Sequence, residues 1–168
     1  NALFVGVKAG YNQVNHGHLD LGNFELDALG VRWARDLGSD DYNLPGYFDK
    51  KKGGKRWNYY RNISESHSVP LIDGKRQDET GKASVIGFDS NDAEARVSID
   101  LTDAYRDRAK QVTRDVALTN LRKAVVVRDR YELTSHHDIV WAMTTDADIA
   151  ILPDGAAALS LDGKKLIA

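Results

Sequence analysis

Residues 94–101 read EARVSIDL, a stretch in which apolar side chains alternate with polar ones. The apolar positions are Ala95, Val97, Ile99 and Leu101. Successive side chains of a β-strand point to opposite faces of its sheet, so this alternation predicts a strand with one buried face and one solvated face. The stretch therefore favours an antiparallel β-structure.

Strand signals of this kind recur over most of the chain, at residues 3–9, 24–37, 84–88, 111–119, 124–133, 138–144, 149–152 and 156–161. Turn dipeptides separate several of them: Asp73-Gly74, Asp154-Gly155 and Asp162-Gly163. Leu29-Gly30 lies inside residues 24–37 and predicts a hairpin there. Only residues 102–108 suggest a helix, and a short one. Many short strands predict an all-β antiparallel sandwich or barrel, with Trp33 and Trp141 in its core.

Length and composition narrow the class of protein. A chain of 168 residues fits one domain, taken here as residues 1–168, with a sizeable core. The net charge of −2 argues against a nucleic-acid partner, and no apolar run approaches the roughly 18–20 residues of a membrane-spanning helix. With no cysteine in the chain, a bound metal would need histidine, carboxylate, amide or backbone-oxygen ligands.

Residues 15–22 read NHGHLDLG and hold two of the five histidines. In extended backbone His16 and His18 would face the same side and address one site. Asp36 ends a predicted strand and His67 begins another. These residue types make His18, Asp36 and His67 a plausible zinc ligand set. The alternative is that each histidine caps a strand or hydrogen-bonds to backbone.

Residues 40–64 form a long stretch with poor periodicity, which is typical of a functional or a disordered loop. Within it, residues 50–61 (KKKGGKRWNYYR) carry six cations and three aromatic rings. Guanidinium groups pair with carboxylate or sulfate, and aromatic rings stack on sugar faces, so the segment is interpreted as a wall that binds anionic sugar. The predicted contacts are Arg56, Tyr59, Tyr60 and Arg61. A solvated loop is the alternative, and the better one for the three lysines at 50–52.

The run from Asn15 to Phe24 resembles the N-H-x-H-x-D-x-G-x-F signature of heparinase II/III-like polysaccharide lyases. The resemblance continues through residues 26–33, 36–40, 42–48, 57–61, 100–105, 114–116 and 127–130. It implies a large, supersandwich-like β-sandwich from the C-terminal part of a longer protein. It also implies that a helical (α/α) toroid precedes this sandwich, so that the chain is a truncated fragment whose partner domain is missing.

The same resemblance implies β-elimination on a uronate-containing acidic polysaccharide, such as heparan sulfate or alginate, by a secreted or periplasmic bacterial enzyme. It implies Zn²⁺, or another divalent ion, held by His18, Asp36 and His67 in a mainly structural role that braces the cleft wall. His16 matches a catalytic histidine of the family. A tyrosine is expected to act as acid or base, and Tyr47 is favoured among the loop tyrosines Tyr42, Tyr47, Tyr59 and Tyr60.

Two other functions are consistent with parts of this pattern. A non-catalytic carbohydrate-binding or structural β-sandwich would explain the strands and the basic, aromatic loop, but it leaves the motif around His16 without a purpose. A zinc hydrolase would need a carboxylate base beside the metal, and Glu65 is the one candidate. The fragment alone is expected to lack turnover, because the remaining groups of the active site would lie on the helical domain.

Overall fold

The computed structural model describes residues 2–168 and contains thirteen strands. They are β1 (Phe4–Val7), β2 (Gly10–Tyr11), β3 (Phe24–Ala28), β4 (Val31–Ala34), β5 (Leu71–Ile72), β6 (Lys82–Ser90), β7 (Ala95–Asp100), β8 (Ala109–Thr119), β9 (Ala124–Leu133), β10 (Ile139–Val140), β11 (Asp148–Ile151), β12 (Ala157–Leu161) and β13 (Lys164–Ile167). Helical structure in residues 2–168 is limited to four 3-10 helices, at Lys55–Asn58, Tyr60–Asn62, Ser64–Ser66 and Thr102–Tyr105. No helix in this range is long and apolar enough to cross a membrane. The predicted all-β class is confirmed.

The strands pair into antiparallel sheets. The largest has the order β2-β6-β7-β8-β9, and a three-stranded sheet has the order β1-β3-β4. Strands β11, β12 and β13 form a meander, and β5 pairs with β10. The alternating stretch 94–101 supplies β7, where Val97 lies opposite Val116 of β8 and Ile99 is fully buried.

Two hairpins are closed by the predicted turn dipeptides. Leu29 and Gly30 join β3 to β4 with φ of 57° and 83°. Asp162 and Gly163 join β12 to β13 with φ of 49° and 71°. Positive φ at both central residues is typical of a type I′ turn, whose twist matches the right-handed twist of the flanking strands.

The sheets enclose two apolar clusters. One lies beneath the five-stranded sheet, where Ile99 and Leu101 pack with Tyr105 and Leu21. The other contains Trp33 of β4 together with residues of β3, β9 and β12. Val7 of β1 contacts both clusters, so the three-stranded and five-stranded sheets pack face to face across the core, as in a sandwich.

Trp141 corrects one expectation. Trp33 is fully buried, as predicted, but Trp141 is 47% exposed. The predicted strand over residues 138–144 is short, because only Ile139 and Val140 pair, with Ile72 and Leu71. Trp141 therefore lies at the rim of the sheet, where its indole N–H donates to Asp129 at 3.0 Å.

Asp78 anchors the long loop to the base of β6. Its Oδ1 accepts hydrogen bonds from the backbone and hydroxyl of Thr80, and its carboxylate pairs with Arg106 at 2.6 Å and Lys52 at 3.4 Å. Burial raises the pKa of Asp78, but the Thr80 hydrogen bonds and the two positive charges outweigh it and bring the pKa to about 2. Asp78 is thus ionised at neutral pH and holds Lys52 of the loop.

Candidate metal centre and active site

Three segments that are distant in sequence meet at one group of possible metal ligands. His18 and Asp20 come from the irregular segment between β2 and β3, Asp36 follows β4, and His67 follows the third 3-10 helix. One ligand atom from each of these four residues lies within 4.8 Å of the others. The structure thus brings the three predicted ligands together and adds Asp20. Asp20 could have been predicted from its position in the motif, two residues after His18.

The surroundings of His67 fit a bound cation. Its Nε2 lies 3.1 Å from the carbonyl oxygen of Arg61 and would donate to it. Its Nδ1 would then carry a lone pair, yet it lies 3.0 Å from Oδ2 of Asp36 and has no aligned hydrogen bond. Two acceptors so close repel each other unless a proton or a metal cation lies between them. A histidine that donates one ring N–H to a carbonyl and offers the other nitrogen inward is the usual arrangement of a metal ligand.

The protonation states of the cluster suit metal binding. Burial is the largest effect on His18 and lowers its pKa to about 4, so its imidazole is neutral at pH 7. Burial raises the pKa of Asp36, but its interactions with His67 and the Gly38 N–H prevail and lower the pKa to about 2. Burial raises the pKa of Asp20, against the opposing effect of its ion pair with Lys8. A neutral imidazole and an ionised carboxylate are the forms that coordinate metal.

Buried polar groups fix the backbone around this cluster. Asn23 donates to Asp36 at 3.1 Å and accepts from the backbone N–H of Ser68 at 2.8 Å. Arg114, which is fully buried in β8, donates to the carbonyl oxygens of Gly22 and Ser68, both at 2.7 Å. Its guanidinium also forms a bidentate pair with Asp129 of β9. The five-stranded sheet therefore holds the two segments that carry His18 and His67.

His16 does not share the surroundings of His18. Its φ is 60°, in the left-handed region, so the backbone is not extended there, and the two rings have different neighbours. His16 is exposed, whereas His18 is buried. The His16 ring stacks on Tyr42, with centroids 5.6 Å apart, and meets the edge of Phe48 at 6.1 Å. The expectation that both histidines address one site through an extended strand is wrong.

Gly17 separates the two histidines at a point of close packing. A Cβ atom at this position would lie 2.5 Å from the carbonyl oxygen of Asn12 and 2.9 Å from the side chain of Val14. Both distances are shorter than real Cβ contacts allow. Only glycine therefore fits between a buried possible metal ligand and an exposed histidine.

Exposed aromatic rings continue the surface beside His16. Tyr42 is 48% exposed and Phe48 is 54% exposed, and their rings meet edge to face at 5.4 Å. Tyr47 packs beneath both, with centroids 5.2 Å from each. We call His16, Tyr42 and Phe48 the aromatic surface.

Two of the predicted site residues are buried. Tyr47 is 1% exposed, and its hydroxyl lies 3.2 Å from both Asn62 Oδ1 and the backbone N–H of Asp40. Arg56 is 2% exposed and donates to the carbonyl oxygens of Gly17 and Tyr47, at 3.0 and 2.9 Å. These positions speak against Tyr47 as the proton-transfer group and against Arg56 as a substrate contact. Both support the loop from within.

The other predicted contacts lie nearer the surface. Tyr60 and Arg61 are exposed, although Arg61 donates to the carbonyl oxygens of Leu37 and Ser39. Tyr59 is partly buried, and its hydroxyl donates to the Pro45 carbonyl at 2.7 Å. Phe48 was not predicted from the sequence, because a single phenylalanine in an irregular loop carries no periodic signal.

Comparisons with known proteins agree with this architecture. The family model described as "Heparinase II/III-like, C-terminal" matches residues 2–168. A search of curated proteins finds no match. Among solved structures, heparan sulfate lyase HepC from Pedobacter heparinus superposes with a TM-score of 0.73 at 19% identity, over 97% of this chain and 24% of that chain. A HepC mutant gives 0.73 at 17% identity, over 94% and 24%. The chain spans about a quarter of the length of these lyases, and at such identities the likeness shows the fold.

Proposed function

This chain belongs to the heparinase II/III-like C-terminal family, and from that premise we propose that it forms one wall of the active-site cleft of a polysaccharide lyase. The lyase would cleave a uronate-containing acidic polysaccharide by β-elimination. The observation that carries the proposal is the exposed His16, held two residues from a buried His/Asp cluster and beside the aromatic surface.

The elimination requires a base, an acid and a group that neutralises the uronate carboxylate. A base takes the C5 proton of the uronate, the electrons of that C–H bond form the C4–C5 double bond, and the C4–O4 pair leaves with O4, which is then protonated. The uronate carboxylate must be neutralised or hydrogen-bonded while charge develops at C5. An exposed imidazole serves either as the base or as the donor to the carboxylate, and we assign one of these roles to His16.

Tyr42 is the tyrosine best placed for the remaining proton transfer. Among the four loop tyrosines it alone stacks on His16, and it is half exposed. Its hydroxyl would donate to O4, or accept the C5 proton when deprotonated. The hydroxyl of Tyr47, by contrast, is already hydrogen-bonded to Asp40 and Asn62.

We propose that His18, Asp36 and His67 hold Zn²⁺ or a similar divalent ion, with Asp20 as an adjacent carboxylate. The ion would cross-link three chain segments and so contribute to folding. The elimination needs no activated water, so a bracing role is chemically sufficient. The chain's own residues then orient His16 toward the substrate.

The surface around His16 supports a sugar ligand. Phe48 and Tyr42 offer apolar faces beside His16. Elsewhere in the same loop region, the exposed Arg61 adds positive charge for carboxylate or sulfate. The structural relatives are named heparan sulfate lyases, which favours a sulfated glycosaminoglycan over alginate as the first substrate to test.

The decisive experiment assays the full-length protein against heparin, heparan sulfate, other glycosaminoglycans and alginate, by the ultraviolet absorbance of unsaturated uronate ends. We expect product from at least one substrate and none from the His16→Ala variant. Tight binding of oligosaccharide without product would point instead to a carbohydrate-binding domain. Residues 1–168 alone should bind metal yet give no turnover, because acid, base and carboxylate donor must all be held within about 3 Å of their targets.

A further inference from the structure

A single buried guanidinium, that of Arg56, joins the two chain segments that carry the aromatic surface. Nε of Arg56 donates to the carbonyl of Gly17, the residue next to His16, at 3.0 Å. One terminal nitrogen donates to the carbonyl of Tyr47 at 2.9 Å. The guanidinium carbon lies 4.6 Å from the centroid of the Tyr47 ring, over its face. Arg56 thus links two segments that lie thirty residues apart in the chain.

These contacts are part of a closed ring of residues that returns to His16. Tyr47 packs against Tyr42 at 5.2 Å, and Tyr42 stacks on His16 at 5.6 Å. Arg56 closes the ring, because it donates to the carbonyl oxygens of both Tyr47 and Gly17. A change at Arg56 therefore reaches His16 by two routes, through the Gly17 peptide and through the stacked rings.

The backbone at His16 requires such a restraint. A non-glycine residue at a φ of 60° is strained, and it keeps that conformation only when surrounding contacts over-determine it. The Gly17 carbonyl is one of those contacts. Within residues 2–168 the charge of Arg56 is met by the carbonyl oxygens of Gly17 and Tyr47 and by the Tyr47 and Trp57 rings.

We infer that Arg56 is a positioning residue, which holds His16 against Tyr42 at the geometry needed for elimination. The inference rests on the proposed function. Arginine is suited to the task because its planar fork reaches two carbonyls at fixed directions while its face lies on an aromatic ring. Lysine retains the charge but not the fork.

The test is Arg56→Lys in the full-length protein, with Arg108→Lys as the matched control. Arg108 is also buried, donates to the carbonyl oxygens of Ile72 and Arg76, and lies near the ring of Tyr105. Unlike Arg56, it has no hydrogen bond to Gly17 or Tyr47 within residues 2–168. For each variant kcat, KM, melting temperature and bound metal are measured. Arg56→Gln serves as a second variant in case the lysine variant does not fold.

We expect Arg56→Lys to lower kcat about 10- to 100-fold with little change in KM, because His16 is displaced while substrate contacts remain. Bound metal should be retained. Arg108→Lys should lower the melting temperature comparably and leave kcat unchanged. A purely structural role would lower the melting temperature of both variants without this difference in kcat.

The inference is overturned if folded Arg56→Lys has the kcat of the unsubstituted protein, if both lysine variants lose kcat equally, or if Arg56→Lys loses its metal. His16→Ala separates this failure from failure of the proposed function. Full activity in His16→Ala would refute the proposed function itself. An inactive His16→Ala together with a fully active Arg56→Lys would refute only the positioning role.

Discussion

Replacing Arg114 by methionine should be among the most damaging single changes in the sandwich. Arg114 makes four contacts of 2.7 Å: two to the carboxylate of Asp129 and one each to the carbonyls of Gly22 and Ser68. Its side chain is fully buried and that of Asp129 is 4% exposed. Methionine fills much of the volume but leaves the Asp129 charge buried without its partner.

Removing one member of a buried ion pair costs about 3–5 kcal/mol of unfolding free energy. For a chain of this size, about 1 kcal/mol corresponds to roughly 2–4 °C in melting temperature, so Arg114→Met should lower it by about 6–20 °C. Because Gly22 and Ser68 also lose their donor, we expect the affinity for the proposed metal to fall by about 10- to 100-fold.

Arg130 provides the control, since it pairs with Asp115 at 2.5 Å across the same two strands but is 57% exposed. Arg130→Met should cost no more than about 1 kcal/mol. Unfolding is followed by urea titration and calorimetry, and metal affinity by competition with a chelator. The double variant Arg114→Met/Asp129→Leu should be less destabilised than the two single changes combined. If Arg114→Met costs as little as Arg130→Met, the reasoning about buried charge fails here.

Three further comparisons test the candidate site and its surroundings. His67→Ala should abolish stoichiometric metal and lower the melting temperature, whereas His16→Ala should leave both nearly unchanged; equal destabilisation would make His16 a structural residue. Tyr42→Phe should reduce kcat in the full-length protein, and Tyr47→Phe should instead cost about 1 kcal/mol of stability with kcat retained; the reverse result would restore Tyr47 as the proton-transfer group. Asp78 has a pKa of about 2 in the folded chain against 3.8 for the free group, so it adds stability that is present above pH 3.8 and lost as the pH falls toward 2. In urea unfolding, the free energy of unfolding of Asp78→Asn should therefore fall less steeply than that of the unsubstituted protein as the pH is lowered through this window. Equal pH dependence in the two proteins would contradict the low pKa of Asp78.

Local patterns in the sequence predicted the fold well. Alternation over residues 94–101 sets which face of β7 is buried, since a side-chain period of two allows no other register against the core. Dipeptides such as Asp162-Gly163 mark turns, because aspartate and glycine tolerate the positive φ that such turns require. Both signals act over a few residues and are visible without knowledge of the rest of the chain.

The site was only partly predictable, because burial of polar residues depends on distant partners. Arg56 is typical of a surface cation by composition, and its burial is explained by the carbonyl oxygens of Gly17 and Tyr47, which only the fold brings to it. Tyr47 likewise finds Asn62 through the fold of the loop. The left-handed backbone of His16 arises from the packing around Gly17, which no spacing rule reveals.

The crowding at Gly17 has a consequence for how the gene can vary. Alanine is the smallest possible replacement, and its methyl group would already collide with the Asn12 carbonyl, a backbone atom that cannot rotate away. At Gly30 there is open space, so the cost of a replacement lies mainly in its φ of 83°, which asparagine tolerates. In a library that samples every codon, codon 17 should survive selection for folded protein only as glycine, while codon 30 should admit asparagine and aspartate. The two glycines look alike in the sequence, but selection would allow different substitutions at their two codons.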